Sequence, residues 1–176
     1  MIDQLEATEL EKALNVYLIF QLDSSDYAIP VEHVSEIITT MTLSPVPGSP
    51  DFLIGVANLR GRILPMLDLR KRFRLGDRSS KRQCFMIVTL VSEDETLELG
   101  LKIDSVSEVV RIPPKLIDPA PAMSKFADKL VFCGVAKINN GVKLIVDVGT
   151  LVLQLKKSIA FAYSNPHGSE LLATSG

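Results

Sequence analysis

The sequence predicts an all-β protein made of two small five-stranded barrels that are related by internal duplication and packed together. Residues 55–69, GVANLRGRILPMLDL, return without gaps at residues 134–148 as GVAKINNGVKLIVDV. A second matching pair, YAIPVEHVSEI at 27–37 and LGLKIDSVSEV at 99–109, precedes the first pair in each half. Two landmarks that recur in the same order are typical of a repeated structural unit.

Each half contains five short segments that are rich in β-branched and aromatic residues and are separated by polar or proline-containing breaks. In the first half these predicted strands are residues 16–22, 27–31, 33–39, 54–59 and 62–67. In the second half they are residues 84–91, 97–103, 106–112, 133–138 and 142–148. Five strands suit a small closed barrel, because closure hides edges that an open sheet would expose.

Tight hairpins are predicted at equivalent places in the two halves. Asn139, Asn140 and Gly141 lie between two apolar segments, and Asn and Gly tolerate the positive φ angles of such turns. Arg60 and Gly61 occupy the equivalent tip in the first half. The turn requires a glycine there but not an arginine, which makes Arg60 a candidate for another role.

Short helices are expected at connections and ends. Asp68 and Asp147 each follow a hairpin and precede a potential helix, where a carboxylate can accept hydrogen bonds from the first free amides. We interpret them as helix caps and not as catalytic acids. Residues 1–15 form an N-terminal segment with helical character, and residues 157–176 form a C-terminal tail.

Composition indicates an ordinary globular protein. With 47% apolar residues among 176, the chain can bury a core. Its acidic start lacks a basic segment leading into an apolar run, and no apolar run approaches the roughly 18 residues of a membrane span. These features predict a cytoplasmic protein without direct membrane insertion. Cys84 and Cys133 lie in apolar segments and are predicted to be buried structural thiols.

The sequence offers little catalytic chemistry. The two histidines, His33 and His167, cannot be combined into a convincing triad or zinc site, and neither GxGxxG nor a phosphate-binding loop is present. The duplication places Glu36 and Glu108 at equivalent positions of different units, so this carboxylate pair does not indicate acid–base catalysis. We expect no enzyme activity, cofactor or metal.

Nine basic residues lie between Arg60 and Arg82, against two aspartates. Nucleic acid is a conceivable partner for such a run, but the run contains one aromatic residue and no recognised nucleic-acid-binding motif. We interpret it as a solvated connector between the two halves, and we expect no nucleic-acid binding.

Residues 16–156 resemble the CheW family of chemotaxis adaptors. The resemblance rests on FQL, YAIPVEHVSEI, VPGSPDFLIGV and especially NLRGRILPMLDLRKRF. It implies two SH3-like barrels and a non-enzymatic adaptor that couples a methyl-accepting chemotaxis receptor to a CheA-like histidine kinase. It also implies a cytoplasmic protein that is recruited to membrane receptor arrays. A CheW-like adaptor of a pilus, gliding or surface-sensing pathway, with another kinase and receptor, is the alternative.

The resemblance also assigns residues to partners. It places Val34, Glu36, Ile37 and Arg60 in the receptor-binding surface. The kinase is expected to bind an apolar surface of the first barrel. Glu36 and Arg60 could instead form only an internal ion pair, with Val34 and Ile37 in the barrel core. The first barrel is predicted at about 16–75 and the second at about 83–150, and this division leaves room for strand exchange between them.

Overall fold

The computed structural model describes residues 15–76, 83–119 and 131–164. Within these ranges the chain forms eleven strands, two α-helices and two single 3-10 turns. The mostly β class is confirmed, and the strands form two sheets. The predicted N-terminal helical segment falls almost entirely outside the described residues.

Ten of the eleven strands lie where the sequence predicts them. They are β1 (Val16–Leu22), β2 (Ser25–Pro30), β3 (Val34–Ile38), β4 (Leu53–Leu59), β5 (Arg62–Asp68), β6 (Cys84–Val91), β7 (Thr96–Ile103), β8 (Ser105–Arg111), β10 (Phe132–Ile138) and β11 (Gly141–Val146). The additional strand is β9 (Ile117–Pro119), which is short and ends in a proline. The helices are α1 (Leu69–Arg72) and α2 (Val148–Ser164), and the 3-10 turns are Val31–His33 and Pro114–Leu116.

The strands form two SH3-like barrels, one per sheet. One sheet has the strand order β8-β1-β2-β11-β10-β9, and the other has the order β3-β6-β7-β5-β4. Most neighbours are antiparallel, but β2 pairs with β11 and β5 pairs with β7 in parallel. Bulges at Leu53/Gly55 and Phe132/Gly134 interrupt the equivalent hairpins, as expected of a duplicated unit.

Each sheet draws strands from both halves of the chain. The first two strands pair with β8 and β11 of the second half, whereas β6 and β7 pair with β3 and β5 of the first half. Sheet membership therefore crosses the predicted barrel boundaries of 16–75 and 83–150, which follow the repeat in the sequence.

The main hydrophobic core lies between the two sheets. On β1, Leu18, Phe20 and Leu22 face this shared core, and Tyr17 and Ile19 face a smaller core of their own barrel. Because successive side chains of a strand point to opposite faces, a strand that is covered on both sides is apolar throughout. This explains the continuous apolar runs at residues 16–20 of β1 and 84–88 of β6.

Helix α2 closes one side of the shared core. Its residues Val148, Leu151, Val152 and Leu155 are buried there, at the spacing of one helical face. The helix continues to Ser164 and so includes the beginning of the segment predicted as a C-terminal tail. No helix among the described residues is long and apolar enough to cross a membrane.

The predicted helix caps are confirmed. Asp68 accepts hydrogen bonds from the backbone amides of Arg70 and Lys71 at the start of α1. Asp147 accepts one from the amide of Thr150 at 3.0 Å at the start of α2. Both carboxylates therefore satisfy amides that a helix leaves free at its first turn.

One of the two cysteines differs from its prediction. Cys84 is buried in the shared core as predicted, but Cys133 is exposed. The bulge between Phe132 and Gly134 falls at Cys133, where the regular alternation of the strand is interrupted. Both thiols are free.

Candidate functional site

The tip of the β4–β5 hairpin carries an arginine in an uncommon backbone conformation. Arg60 and Gly61 have φ angles of 53° and 85°, as a tight primed turn requires. The Gly61 amide also donates to the side-chain oxygen of Asn58 at 2.8 Å. Glycine adopts positive φ without strain because it has no side chain, and Asn and Asp tolerate it, so the turn itself disfavours arginine at position 60.

Arg60 is held by Glu36 on β3. Its Nη1 and Nη2 atoms donate to Oε1 and Oε2 of Glu36, each at 3.0 Å. This two-pronged geometry is the strong form of an arginine–carboxylate pair. Arg60 remains 70% exposed and Glu36 remains 26% exposed, so the pair lies on the surface and not inside a barrel. The structure thus brings these two residues of the predicted site together.

The ion pair connects the two outer strands of the five-stranded sheet. Strand β3 is at one end of the strand order and β4 is at the other. The pair therefore lies across the place where this barrel closes. An exposed ion pair of this kind contributes little stability by itself, about 0.2–1 kcal/mol.

The two predicted apolar site residues have different surroundings. Val34 is partly buried and packs against the shared core, whereas Ile37 is 40% exposed. Val34 therefore anchors β3 to the shared core and offers little surface to a partner. Ile37 is an exposed apolar residue that follows Glu36 in the chain, and the alternation of β3 places its side chain on the opposite face of the strand.

Ile63 belongs to this region but was not predicted. It follows the hairpin tip on β5 and is 63% exposed. The alternation along β5 gives the signal that could have identified it, because Leu64 and Met66 point into the barrel core. Ile63 must therefore point outward.

The second barrel repeats the apolar part of this surface without the arginine. Val142 stands at the position equivalent to Ile63 and is 61% exposed, and Val109 repeats the exposed Ile37. The hairpin tip carries Asn139 and Asn140, with φ angles of 51° and 56°. The equivalent of Arg60 is thus a residue that the turn favours.

The interpretation of the basic run as a solvated connector is wrong for Arg70 and Arg72, whose side chains contact other parts of the fold. The Arg70 Nε donates to Oδ1 of Asp104 at 2.6 Å, and Arg72 donates to Gln154 and lies over the ring of Phe52 at 5.6 Å. These contacts join α1 to the turn between β7 and β8, to α2 and to the loop before β4. Arg78, Lys81 and Arg82 lie outside the described residues.

Asp104 is a charged junction between the halves. Burial alone would raise the pKa of Asp104, but hydrogen bonds from Arg70 and from the backbone amide of Asp23 lower it below its ordinary value. The amide of Asp23 donates at 2.7 Å, so one carboxylate holds both α1 and the β1–β2 turn.

Metal binding receives no support from the described part of the chain. No group of three or more His, Cys, Asp or Glu side chains there could hold an ion. The ring Nδ1 of His33 is hydrogen-bonded to the carbonyl of Thr89 at 3.2 Å. The contacts of His33 are therefore structural.

Comparison with known proteins places these features in a family. The family model described as the CheW-like domain matches residues 16–156. The chain is 31% identical over 130 residues to the chemotaxis protein CheW of Helicobacter pylori, covering 73% of this chain and 76% of that protein. It is 28% identical over 138 residues to the chemotaxis protein CheW of Thermotoga maritima, covering 78% of this chain and 87% of the relative.

A solved structure agrees with the fold. The scaffolding protein TtCheW from Thermoanaerobacter tengcongensis superposes with a TM-score of 0.67 at 31% sequence identity. The superposition covers 75% of this chain and 88% of that chain.

Proposed function

The chain belongs to the CheW-like domain family, and from this premise we propose that it is a non-enzymatic adaptor that couples a chemoreceptor to a CheA-type histidine kinase. The adaptor acts by binding both partners at once. In this role it contributes surfaces and not catalytic groups.

The observation that carries the proposal is the placement of Arg60. The residue is strained by its positive φ, is 70% exposed and is not needed for the turn, since Asn139 serves at the equivalent tip. Strained residues persist where another requirement holds them. Binding of a partner to the guanidinium of Arg60 is such a requirement.

The receptor site comprises Val34, Glu36, Ile37 and Arg60. Glu36 fixes the guanidinium through two hydrogen bonds, so little side-chain entropy is lost when a partner binds it. Ile37 adds exposed apolar area on the other face of the same edge strand. A helical receptor tip can use such a surface, with an apolar face on Ile37 and polar groups on Arg60 and Glu36.

The kinase contacts the apolar surface of the first barrel, which is the one formed by the sheet β3-β6-β7-β5-β4. Ile63 is the exposed large apolar side chain on β5, outside the proposed receptor residues. A few buried apolar side chains supply most of the energy of such interfaces. In this proposal Ile63 serves the kinase, and Ile37 and Arg60 serve the receptor.

Reconstitution tests the proposal. Purified chain is mixed with a CheA-type kinase and receptor-containing membranes, and kinase phosphorylation is measured with and without the chain. Activation that requires the chain supports the adaptor role. If a tagged chain instead captures a different histidine kinase and receptor, the pathway is a related non-flagellar one. Nucleotide hydrolysis by the chain alone would contradict a non-enzymatic role.

A further inference from the structure

A polar cavity lies at α1, and it shares no residue with the proposed receptor site. Its volume is about 290 Å³. Four of its lining residues come from α1 and the turn that follows it, and two aspartates complete it: Arg70, Lys71, Arg74, Gly76, Asp51 and Asp68.

Arg74 reaches this cavity from a strained backbone position. The helix ends in a Schellman motif, in which the amide of Arg74 donates to the carbonyl of Lys71 and the amide of Leu75 donates to that of Arg70. The first residue beyond such a helix end adopts positive φ and is usually glycine, whereas Arg74 has φ 57°. The fold therefore does not explain an arginine here.

The cations of the cavity are incompletely neutralised. Lys71 and Arg74 are exposed, and their side chains have no acceptor among the residues that the structure describes. Arg70 is bound to Asp104, yet its buried Nη1 has no hydrogen-bond partner within the same ranges. A buried donor without an acceptor is costly and is unusual in a folded protein.

The two aspartates of the cavity do not cancel its positive charge. Asp68 is occupied by the amides of α1 and by the ammonium group of Lys102 at 3.3 Å. Asp51 is exposed on the rim and is the carboxylate that would repel an anion. The cavity thus presents two open cationic side chains against one open acid, with Arg70 behind them.

We propose that this cavity binds a phosphate group, either as free phosphate or as part of a small phosphorylated molecule, through Lys71 and Arg74. A guanidinium and an ammonium group together suit a dianion with several acceptor oxygens. The volume leaves room for the group that carries the phosphate. This site is independent of the proposed adaptor role.

Titration of inorganic phosphate into the ¹⁵N-labelled full chain tests the site. Ionic strength is held constant with chloride, and the amide signals of residues 69–76 are followed. We expect saturable shifts that are about tenfold weaker in affinity in Arg74→Gly and in Lys71→Gln, and tighter in Asp51→Asn. Arg74→Gly should melt no lower than the wild type, because glycine adopts this φ without strain. Lys115→Gln is the charge-matched control and should bind as the wild type does.

Two results would overturn the proposal. One is an equal response to phosphate and to chloride, and the other is an unchanged phosphate affinity in a folded Arg74→Gly variant. O-phosphoserine and vesicles of phosphatidylglycerol or phosphatidylcholine identify the source of the phosphate. Tighter binding of O-phosphoserine supports a soluble phosphorylated ligand, and Arg74-dependent binding to phosphatidylglycerol alone supports a lipid headgroup.

Discussion

Lys143 and Asp26 form an ion pair that joins the two halves of the chain within one barrel. The buried Nζ of Lys143 lies 2.5 Å from Oδ2 of Asp26, where β11 and β2 run in parallel. The other parallel contact, between β5 and β7, has the corresponding pair of Lys102 and Asp68 at 3.3 Å. In both barrels a lysine of the second half meets an aspartate of the first half. These pairs therefore lie where the halves exchange strands.

Removal of the Lys143 ammonium group should destabilise the protein. In Lys143→Met the methylene stem is largely kept, but Asp26 loses its charged donor. We expect the free energy of unfolding at neutral pH to fall by about 1.5–3 kcal/mol, measured by chemical denaturation. Lys137→Met is the control, because its ion pair with Asp118 is exposed and should change stability by about 0.5 kcal/mol at most. Equal effects of the two substitutions would contradict the role of the buried pair.

Acid should weaken the contacts between the halves. Hydrogen bonding by Lys143 lowers the pKa of Asp26, and the pKa of Asp104 is also lowered, as described above. The folded chain thus binds these two protons less tightly than the unfolded chain does. Their contribution to stability is complete above the ordinary carboxyl range and is lost as the pH falls below about 4.

Denaturation measured between pH 6 and pH 3 tests this. The wild type should lose stability over the acidic part of the range, and Asp104→Asn should show a shallower loss from a lower starting value. Parallel curves for the two proteins would exclude Asp104 as one of the responsible groups.

The strands were predictable because both faces of the central ones are buried. Residues 16–20 of β1 and 84–88 of β6 are all apolar, and the hairpin tip at Asn139 carries its own local signal. Strand β9 was missed because it has only three residues and ends in a proline, which leaves no periodicity to read. The order of strands was not predictable, since the parallel contact of β2 with β11 joins residues far apart in sequence.

The site was predictable only in part, because its contacts also join residues that are far apart in the sequence. Arg70 and Arg72 looked like solvated charges because their partners, Asp104 and Gln154, are distant in the chain. The proximity of Glu36 and Arg60 followed from a family resemblance and not from their spacing. The positive φ angle of Arg60, which makes an arginine unfavourable at this position, is observed only in the folded hairpin.

Gly55 should not tolerate a side chain. It has φ 142°, and a Cβ atom there would lie 2.5 Å from the backbone oxygen of Ser44, which cannot move aside like a flexible side chain. Gly55→Ala should lower the free energy of unfolding by about 1–3 kcal/mol. Gly141→Ala is the control, since its nearest neighbour would be an ordinary contact at 3.7 Å. Comparable stability of Gly55→Ala and wild type would contradict the close approach.

Ile63 and Val142 offer a matched test of where the kinase binds. The two residues are equivalent in the repeat and similarly exposed, so Ile63→Asp and Val142→Asp should each change stability by about 0.5 kcal/mol or less. We expect Ile63→Asp to weaken kinase binding at least about tenfold, mainly through faster dissociation. Surface plasmon resonance measures both variants. Loss of binding in Val142→Asp alone would place the contact on the second barrel.

Arg60 should matter more for receptor-linked kinase control than for folding. Asn fits positive φ, as Asn139 does at the equivalent tip, so Arg60→Asn should relieve strain while losing only an exposed ion pair. Its melting temperature should stay near that of the wild type. Arg60→Glu places a second carboxylate beside Glu36, so it should reduce activation further and stability slightly. Loss of a desolvated charged contact to a partner costs about 2–5 kcal/mol of binding.

The exchanged pair Glu36→Arg with Arg60→Glu separates partner binding from internal support. The exchange restores an ion pair of opposite polarity between β3 and the hairpin tip, so stability should recover relative to Arg60→Glu alone. If the receptor reads the guanidinium of Arg60, reconstituted kinase activation remains low in the exchanged protein, because the charges are now in the wrong places. If the ion pair serves only to hold β3 against the hairpin, activation returns together with stability. Thermal melting and kinase activation measured on the same preparations therefore distinguish a binding anchor from a structural link.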